Sequence, residues 1–283
     1  MIIHKMDIKI GSSNRIAIYQ DSDTHLKSEG HDKHLHSRFR RKIEQDPDAY
    51  WIHTGDMTDD DRPSTRERRN LMYHDRAEAL TQEDKEHQEY LDRHVIPLYQ
   101  PIASKCLGLI AGDHFRIYKT GMNSTEYIAR ALKVPYLGER MGYVSIIFRK
   151  GEKSMRYDLL ARHGKAASST PGGDMNALMR QNARWEADLL LGGHTHQENA
   201  HPEPICGVNQ HRDNLYQKIR WYIRGGSFLR GFVVGRNKEH YAEKEEYSPL
   251  CIGWGRVDLF FGQPHSNGDN LCITNSEGVL SVS

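Results

Sequence analysis

Residues 16–25 read IAIYQDSDTH, and this stretch indicates the fold class of the chain. The run begins with four apolar residues of β-branched and aromatic type, which are typical of a buried strand. It ends in a polar loop that contains Asp23 and His25. An apolar run followed at once by aspartate or histidine recurs four times further along the chain.

The four later apolar runs are residues 49–53, 107–111, 159–161 and 187–191. The polar motifs that follow them are residues 55–59 (GDMTD), 112–114 (GDH), 162–164 (RHG) and 192–196 (GGHTH). Helices are expected between strands: Leu35, Phe39 and Ile43 recur every four residues before Pro47, and residues 175–185 suit a second helix. Alternating strands and helices favour an α/β fold with open sheets, whose sites lie past the carboxyl ends of the strands.

We expect residues 1–283 to form a single domain with one helical insertion at about residues 62–104. A helical stripe of Leu91, Val95, Leu98 and Ile102 predicts helix in this insertion, which we expect to form two helices. Pro97 and Pro101 should bend or end the helix that carries the stripe. The part from about residue 200 to residue 283 is predicted to be rich in strands. Its candidate strands are residues 218–223, 228–234 and 257–261.

The composition is that of a globular protein without a strong charge bias. Of 283 residues, 37% are apolar and 27% are charged, and the formal net charge of +1 gives no global attraction to nucleic acid or to a membrane. No apolar run is long enough to predict a transmembrane helix, and residues 1–9 do not resemble a signal peptide. Four cysteines without a CxxC pair favour reduced thiols and a cytoplasmic location.

Aspartate and histidine in these loops suit divalent cations such as Mn, Zn and Fe. Two cations held about 3.5–4 Å apart need such a supply of ligands, one of which is shared between them. Asp56 follows a glycine that allows a tight turn, so its two oxygens could bridge both ions. Each motif alone is also compatible with an ordinary polar turn or helix cap, and the five in order carry the prediction.

The ordered pattern D-x-H, G-D-x-x-D, G-N-H, H and G-H-x-H resembles that of the calcineurin-like metallophosphoesterase superfamily. The resemblance covers residues 16–197, and a phage or bacterial nuclease-like member is one subtype that it suggests. It implies a sandwich of two mixed β-sheets flanked by helices. It also implies a dinuclear metal centre, with Mn favoured and with Fe or Zn as alternatives.

By that resemblance, one metal is held by Asp23, His25, Asp56 and His196, and the other by Asp56, Asp113, His163 and His194. A hydroxide that bridges the metals would attack phosphorus, and His114 would stabilise the transition state or protonate the leaving oxygen. Lys165, two residues beyond His163, is a candidate contact for a substrate phosphate, although a solvated loop lysine is the simpler interpretation.

The third motif departs from the family pattern in two places. Asp113 stands where the family usually has asparagine, which adds a negative charge to the centre. This charge leads to the hypothesis that singly charged diesters are preferred over doubly charged monoesters, and that harder ions such as Mn are favoured. Phe115 stands where an acid often follows the histidine. Another acid is therefore expected to orient His114; otherwise His114 is less suited to its acid role.

These observations predict a dinuclear metal-dependent phosphoesterase that hydrolyses a phosphodiester, either DNA or a nucleotide. The alternatives are a phosphomonoesterase or protein phosphatase, and a non-catalytic metal-binding scaffold of the same fold. The expected partners are a phosphoester substrate, with DNA as one candidate, and a second copy of the chain through the insertion at residues 62–104. No membrane partner is expected.

Overall fold

Two β-sheets pack face to face, and helices cover their outer surfaces. The computed structural model describes residues 2–9, 13–61, 80–165, 170–208, 215–232, 252–261, 272–274 and 279–280. In chain order the strands are β1 (Ile3–Lys9), β2 (Arg15–Asp21), β3 (Ala49–His53), β4 (Cys106–Ile110), β5 (Tyr136–Gly138), β6 (Met141–Lys150), β7 (Lys153–Arg162), β8 (Leu189–Gly192), β9 (Glu198–Val208), β10 (Leu215–Gly225), β11 (Gly255–Phe260), β12 (Cys272–Thr274) and β13 (Val279–Leu280). The α-helices are α1 (Lys33–Gln45), α2 (Gln82–Tyr90), α3 (Ile96–Tyr99), α4 (Ser124–Leu132) and α5 (Pro171–Asn182).

Both sheets contain parallel and antiparallel pairs. The first has the strand order β1-β6-β7-β8-β10-β9, in which β7, β8 and β10 are parallel to one another. The second has the order β13-β12-β11-β2-β3-β4-β5, in which β2 to β5 are parallel and β11 pairs with β2 in the antiparallel sense. The predicted α/β sandwich of two mixed sheets flanked by helices is therefore confirmed.

The burial of β2 on both faces explains the continuous apolar run of residues 16–19. Ile16 and Ile18 belong to the core between the two sheets, whereas Ala17 and Tyr19 belong to the core beneath α1. A parallel strand that is covered on both faces needs apolar side chains at successive positions rather than at alternate ones. The same burial makes the other site-bearing strands recognisable in the sequence.

Helix α1 forms as its pattern predicts. The Asp32 side chain accepts a hydrogen bond from the Leu35 backbone N–H at 2.9 Å and so caps the first turn. Leu35, Phe39 and Ile43 are all buried against the second sheet. On the opposite side of the molecule, α5 packs against the outer face of the first sheet, which confirms the helix predicted at residues 175–185.

Of the predicted insertion, residues 80–104 are described and residues 62–79 lie outside the described part. Helix α2 continues without a break into a π-helical turn, Leu91–Val95, and then into α3, after which a 3₁₀ helix spans Gln100–Lys105. Pro97 lies in the first turn of α3 and Pro101 in the first turn of the 3₁₀ helix. Each proline therefore coincides with a change of helix type, because its ring and missing N–H disturb a regular α-helix.

One predicted strand is wrong in its described part. Residues 228–232 make a single isolated bridge, between Leu229 and His31, and do not join a sheet. The Phe228 side chain packs between Phe39 and Trp254. The Phe228 backbone N–H donates to the Asp23 carbonyl at 3.3 Å, and its carbonyl accepts from the Asp32 N–H at 2.8 Å. This segment therefore supports the loop that carries Asp23. Residues 233–234 lie outside the described residues.

Strands β1, β5 and β6 and helix α4 were not predicted. In β1 only Ile8 is buried, so its charged and apolar residues alternate without a strong core pattern. Its place at the edge of the first sheet comes from parallel pairing with β6, a contact between distant parts of the chain. Within the described residues, no helix is both long enough and apolar enough to cross a membrane.

Candidate metal centre

All five polar motifs meet at one end of the sandwich. Strands β2, β3 and β4 of the second sheet end just before the loops of Asp23, Asp56 and Asp113. Strands β7 and β8 of the first sheet end just before His163 and His194. Because the strands within each group are parallel, their carboxyl ends lie at the same edge, where open α/β sheets place their sites.

The backbone of these loops is unusual at the residues predicted to bind metal. Five of the seven adopt the left-handed conformation, which costs energy for any residue with a Cβ atom. Their φ values are 49° for Asp23, 46° for His25, 59° for Asp56, 77° for His194 and 54° for His196. Such strain concentrates at functional sites, because only a required side-chain direction offsets its cost.

Two glycines allow the loops to approach one another. A Cβ atom on Gly55 would lie 2.3 Å from His163 Nδ1, and one on Gly112 would lie 2.2 Å from Asp56 Oδ1. Both glycines also have positive φ values, 118° and 92°. Any side chain at either position would therefore separate the loops that carry the aspartates and histidines.

Asp23, His25 and His196 form the first group of converging side chains. Their candidate ligand atoms all lie within 4.8 Å of one another, and His196 Nε2 lies 3.4 Å from Asp23 Oδ1. The two Asp23 oxygens also accept the His194 backbone N–H at 3.1 and 2.9 Å. A carboxylate from the second sheet thus holds the histidine turn of the first sheet in place.

Asp56, His163 and His194 form a second such group. His163 Nε2 lies 3.1 Å from both Asp56 Oδ2 and His194 Nδ1. Asp113 Oδ2 lies 3.5 Å from His194 Nδ1 and 3.8 Å from His163 Nε2, so this carboxylate faces the same group.

Asp56 connects the two groups. Its Oδ2 atom lies 3.1 Å from His163 Nε2 and 3.9 Å from His25 Nε2. Its other oxygen, Oδ1, accepts backbone N–H bonds from Asp113 at 2.6 Å and from His114 at 2.8 Å. One oxygen therefore fixes the carboxylate to the third motif, and the other lies between the two groups.

Hydrogen bonds define which nitrogen of His163 and of His25 faces the centre. His163 Nδ1 donates to the Thr54 carbonyl at 3.1 Å, since a carbonyl can only accept. His25 Nδ1 bonds to Asp59 Oδ1 at 2.9 Å, and His25 Nε2 is buried without a hydrogen-bond partner among the described residues. Such orientation by an outer carboxylate or carbonyl is the usual arrangement around metal-binding histidines.

The electrostatics of the centre favour a cation. Burial opposes ionisation of Asp56, yet the neighbouring His163 and His25 imidazoles hold its pKa well below the ordinary value. Burial likewise opposes protonation of His163, but Asp56, Asp23 and Asp113 raise its pKa to about 9. The carboxylates that attract a proton to His163 would attract a divalent cation by the same charge.

His114 lies at the open side of the centre. Its side chain is 38% exposed, and its ring centroid lies 5.1 Å from that of His25. Phe115, the next residue, is fully buried and offers no hydrogen-bonding side chain. Instead, His114 Nδ1 donates to the Asp60 backbone carbonyl at 3.1 Å, and Asp59 Oδ1 lies 3.9 Å away. The group that orients His114 is therefore a main-chain carbonyl and not the further acid expected from the sequence, and no side-chain pattern could reveal it.

A buried network fixes the loop that carries Asp23 and His25. Thr24 Oγ1 donates to Asp21 Oδ1 at 2.7 Å, and Tyr99 from the insertion donates to Asp21 Oδ2 at 3.0 Å. His53 Nδ1 accepts the Gly55 N–H at 3.0 Å, so its Nε2–H is directed to Thr24 Oγ1 at 3.1 Å. The loops after β2 and β3 are thereby joined beneath the centre.

Arg224 performs the corresponding role for the histidine turn after β8. Its guanidinium is 1% exposed, donates to the Gly193 carbonyl, and pairs with Asp174 Oδ1 at 2.9 Å. Asp174 Oδ2 in turn accepts from Thr195 Oγ1 at 3.1 Å. Sequence reasoning missed Arg224, although an arginine that ends the otherwise apolar run of residues 221–223 was a usable signal.

The structure thus brings together His114 and all seven residues predicted to bind metal. It places Lys165 on the surface, exposed and adjacent to residues 166–169, which lie outside the described residues. Contact between Lys165 and a substrate stays a prediction. Arg140, which pairs with Asp113, was not predicted, because it belongs to no motif and precedes a strand that was itself missed.

An α/β sandwich with linked Asp/His groups at its strand ends defines a candidate metal-binding protein. No protein-family model matches the chain, and no curated protein matches it significantly. Among solved structures, the chain is similar to a predicted phosphoesterase from Streptococcus pneumoniae TIGR4, with 13% identity over 92% of this chain and 88% of the other and a TM-score of 0.36.

Two further similar structures are of Vps29. The protein from Chaetomium thermophilum is 11% identical over 94% of this chain and 95% of its own, with a TM-score of 0.41. A double mutant from Entamoeba histolytica is 11% identical over 95% of this chain and 100% of its own, with a TM-score of 0.37. Similarity at this level carries no argument about activity, which depends on the residues of the centre itself.

Proposed function

We propose that this protein is a metal-dependent phosphoesterase with two divalent cations in the candidate centre, and that its substrate is a phosphodiester, either DNA or a nucleotide. The position of Asp56 carries the proposal. Its Oδ2 atom lies between the group that contains His25 and the group that contains His163. A shared carboxylate is the feature that a pair of closely spaced cations requires.

The residues divide into two ligand sets. Asp23, His25, Asp56 and His196 would hold the first cation, and Asp56, Asp113, His163 and His194 the second. The buried His25 Nε2 atom without a partner supports this assignment, since an unpaired buried nitrogen costs energy that a cation would remove. Carboxylate and imidazole ligands suit Mn, with Fe and Zn as alternatives.

When bound, such cations supply a nucleophilic hydroxide at neutral pH and stabilise negative charge on phosphoryl oxygens. The protein residues supply position and a proton. Asp56 Oδ1 holds the backbone of His114, and the Asp60 carbonyl fixes its Nδ1–H, so that Nε2 is the nitrogen available to a substrate. A half-exposed imidazole in this place suits protonation of the leaving oxygen, which a diester with an alkoxide leaving group needs.

The proposal is tested by metal analysis together with hydrolysis assays. The purified protein should contain Mn, Fe or Zn, and with added Mn it should hydrolyse bis-p-nitrophenyl phosphate. His114→Ala should lower kcat by about 100-fold or more for a diester with an alkoxide leaving group without removing the metal, since general acid catalysis contributes about that much. The decrease should be smaller for bis-p-nitrophenyl phosphate, whose leaving group needs no proton. His201→Ala, which changes an exposed histidine in β9, is the matched control and should keep full activity.

The substrate class is decided by a panel of a phosphomonoester, a cyclic nucleotide, and single-stranded and double-stranded DNA. Cleavage of a monoester alone would replace the diester proposal with a phosphatase. A protein that binds no divalent cation and cleaves none of these substrates would be a scaffold of this fold rather than an enzyme.

A further inference from the structure

The two oxygens of Asp113 face different partners. Oδ2 faces the second group, at 3.5 Å from His194 Nδ1 and 3.8 Å from His163 Nε2. Oδ1 accepts a hydrogen bond from a guanidinium nitrogen of Arg140. Only one oxygen of this carboxylate is therefore directed at the proposed second cation, as would be the case for the single oxygen of an asparagine.

Two backbone hydrogen bonds hold the segment of Arg140 in this position. The Glu139 carbonyl accepts the Gly112 N–H at 2.8 Å, which ties the segment to the loop of Asp113. The Arg140 carbonyl accepts the His163 N–H at 2.9 Å, which ties it to the loop of His163. The backbone that carries Arg140 is thus attached to the same two loops that supply ligands to the second group.

Arg140 also changes the charge of the centre. With two divalent cations, the carboxylates of Asp23, Asp56 and Asp113 leave one net positive charge, and the arginine raises it to two. In the part of the chain that the structure describes, Arg140 forms an ion pair with Asp113 alone, and its Nη1 atom is buried without a hydrogen-bond partner. The hypothesis drawn from the sequence assumed that no positive side chain balances the negative charge of Asp113. The ion pair with Arg140 shows that this charge is balanced.

We propose that Arg140 determines substrate specificity, as a charge-compensating partner that makes Asp113 act as a neutral single-oxygen ligand. The inference rests on the proposed function. Arg140 preserves the positive charge that attracts a doubly charged phosphomonoester, and it weakens the attraction of Asp113 for the second cation. Without Arg140 the centre would bind that cation more tightly and would discriminate against monoesters.

A double-mutant cycle tests this inference. The wild type, Arg140→Gln, Asp113→Asn and the double variant are compared by calorimetric Mn titration and by kcat/KM for p-nitrophenyl phosphate and bis-p-nitrophenyl phosphate. Arg140→Gln should bind the weaker Mn about tenfold more tightly and lower the monoester-to-diester ratio about tenfold, since one unit charge is removed near the ligands. Asp113→Asn should shift both quantities in the opposite direction.

Rescue separates charge compensation from ordinary packing. The double variant restores the net charge, so its Mn affinity and its substrate ratio should return to within about threefold of the wild type. Arg140→Lys should keep the substrate ratio, because it keeps the charge. Arg130→Gln removes a surface arginine–glutamate pair on α4 and is the matched control, which should change neither quantity.

The outcomes also separate this inference from the proposed function. If the wild type hydrolyses an ester but Arg140→Gln changes neither Mn affinity nor the substrate ratio, the inference is overturned and the function stands. A double variant whose Mn affinity and substrate ratio stay as far from the wild type as those of either single variant would equally overturn it. If the wild type hydrolyses no ester, the proposed function fails, and the specificity role of Arg140 fails with it. Mn titration would still show whether Arg140 weakens binding of the second cation.

Discussion

Asp59 acts on the candidate centre through His25. Its Oδ1 atom lies 2.9 Å from His25 Nδ1, and this bond directs His25 Nε2 toward Asp56. The Asp59 side chain is 35% exposed, so it is not a residue that the core requires. Burial raises the pKa of Asp59, but its bond to His25 and the nearby imidazole charges lower it overall, which keeps the acceptor ionised.

Replacing Asp59 should weaken metal binding. We expect Asp59→Ala to lower the affinity of the first cation by about 10- to 100-fold, because the imidazole loses the acceptor that fixes its orientation. Asp59→Asn keeps an oxygen but loses the charge, so its affinity should fall between those of the wild type and the alanine variant. Calorimetric Mn titration measures the effect, with exposed Asp61→Ala as the control. Equal affinities for the two alanine variants would contradict the role of Asp59.

The pKa of His163 predicts how metal binding depends on pH. Burial disfavours the charged imidazole, but Asp56, Asp23 and Asp113 raise its pKa to about 9. Because the pKa is raised on folding, the charged form stabilises the metal-free protein fully below about pH 6.5. That stabilisation is lost as the pH rises through about 9.

A cation needs the neutral imidazole and must therefore displace this proton. We expect Mn affinity to rise as the pH increases from about 6.5 to 9. Titrations in two buffers of different ionisation enthalpy should show proton release on binding at pH 7.5. His163→Asn should lose most of this release, and a wild-type affinity that does not change over the same interval would contradict the prediction.

At the scale of elements, the strands that could be predicted from the sequence are those buried on both faces. Strands β2, β3, β4 and β8 are buried on both faces, so their residues form continuous apolar runs that end where the polar loops begin. The loops that carry the candidate ligands could therefore be located from sequence. Strand β1 could not, because six of its seven residues lack full burial and its position depends on pairing with distant β6.

Other features had no local signal at all. The bond from His114 to the Asp60 carbonyl and the pairing of Arg140 with Asp113 join segments 54 and 27 residues apart. Spacing in the sequence reports which residues lie on one strand or helix, but not which loops those elements bring together.

Helix α2 of the insertion contacts the same loop as His114. His87 Nε2 lies 2.9 Å from Asp60 Oδ1, and His87 Nδ1 lies 2.9 Å from the Tyr118 hydroxyl. Asp60 is the residue whose carbonyl orients His114. The insertion thus reaches the proposed proton donor through one residue, which would give this element a role in the proposed catalysis as well as in packing.

His87→Ala should therefore lower kcat more than it raises KM. We expect a decrease of about tenfold in kcat for diesters with a poor leaving group, and a smaller decrease for good ones that need no proton. Loss of the buried bonds should also lower the free energy of unfolding by about 1–3 kcal/mol. Exposed His94→Ala, in the π-helical turn, is the matched control. Equal effects on both leaving groups would show that His87 serves packing alone.

At the scale of the whole molecule, the candidate centre joins the two sheets. Asp23, His25, Asp56 and Asp113 come from loops of the second sheet, and His163, His194 and His196 from loops of the first. Each proposed ligand set draws on both sheets. Bound cations would therefore connect the two layers at the end where their loops carry strained backbone and closely spaced carboxylates.

This arrangement predicts that Mn stabilises the folded protein as a whole. A ligand at 100 times its Kd adds about 2.7 kcal/mol for each site. For a chain of this length that corresponds to a rise in Tm of about 5–10 °C. Differential scanning calorimetry with and without Mn measures the shift. Asp56→Asn, which alters the ligand common to both sets, should lose most of it, whereas Asp61→Asn should keep it. A wild-type Tm that does not respond to Mn, Fe or Zn would contradict a metal centre between the sheets.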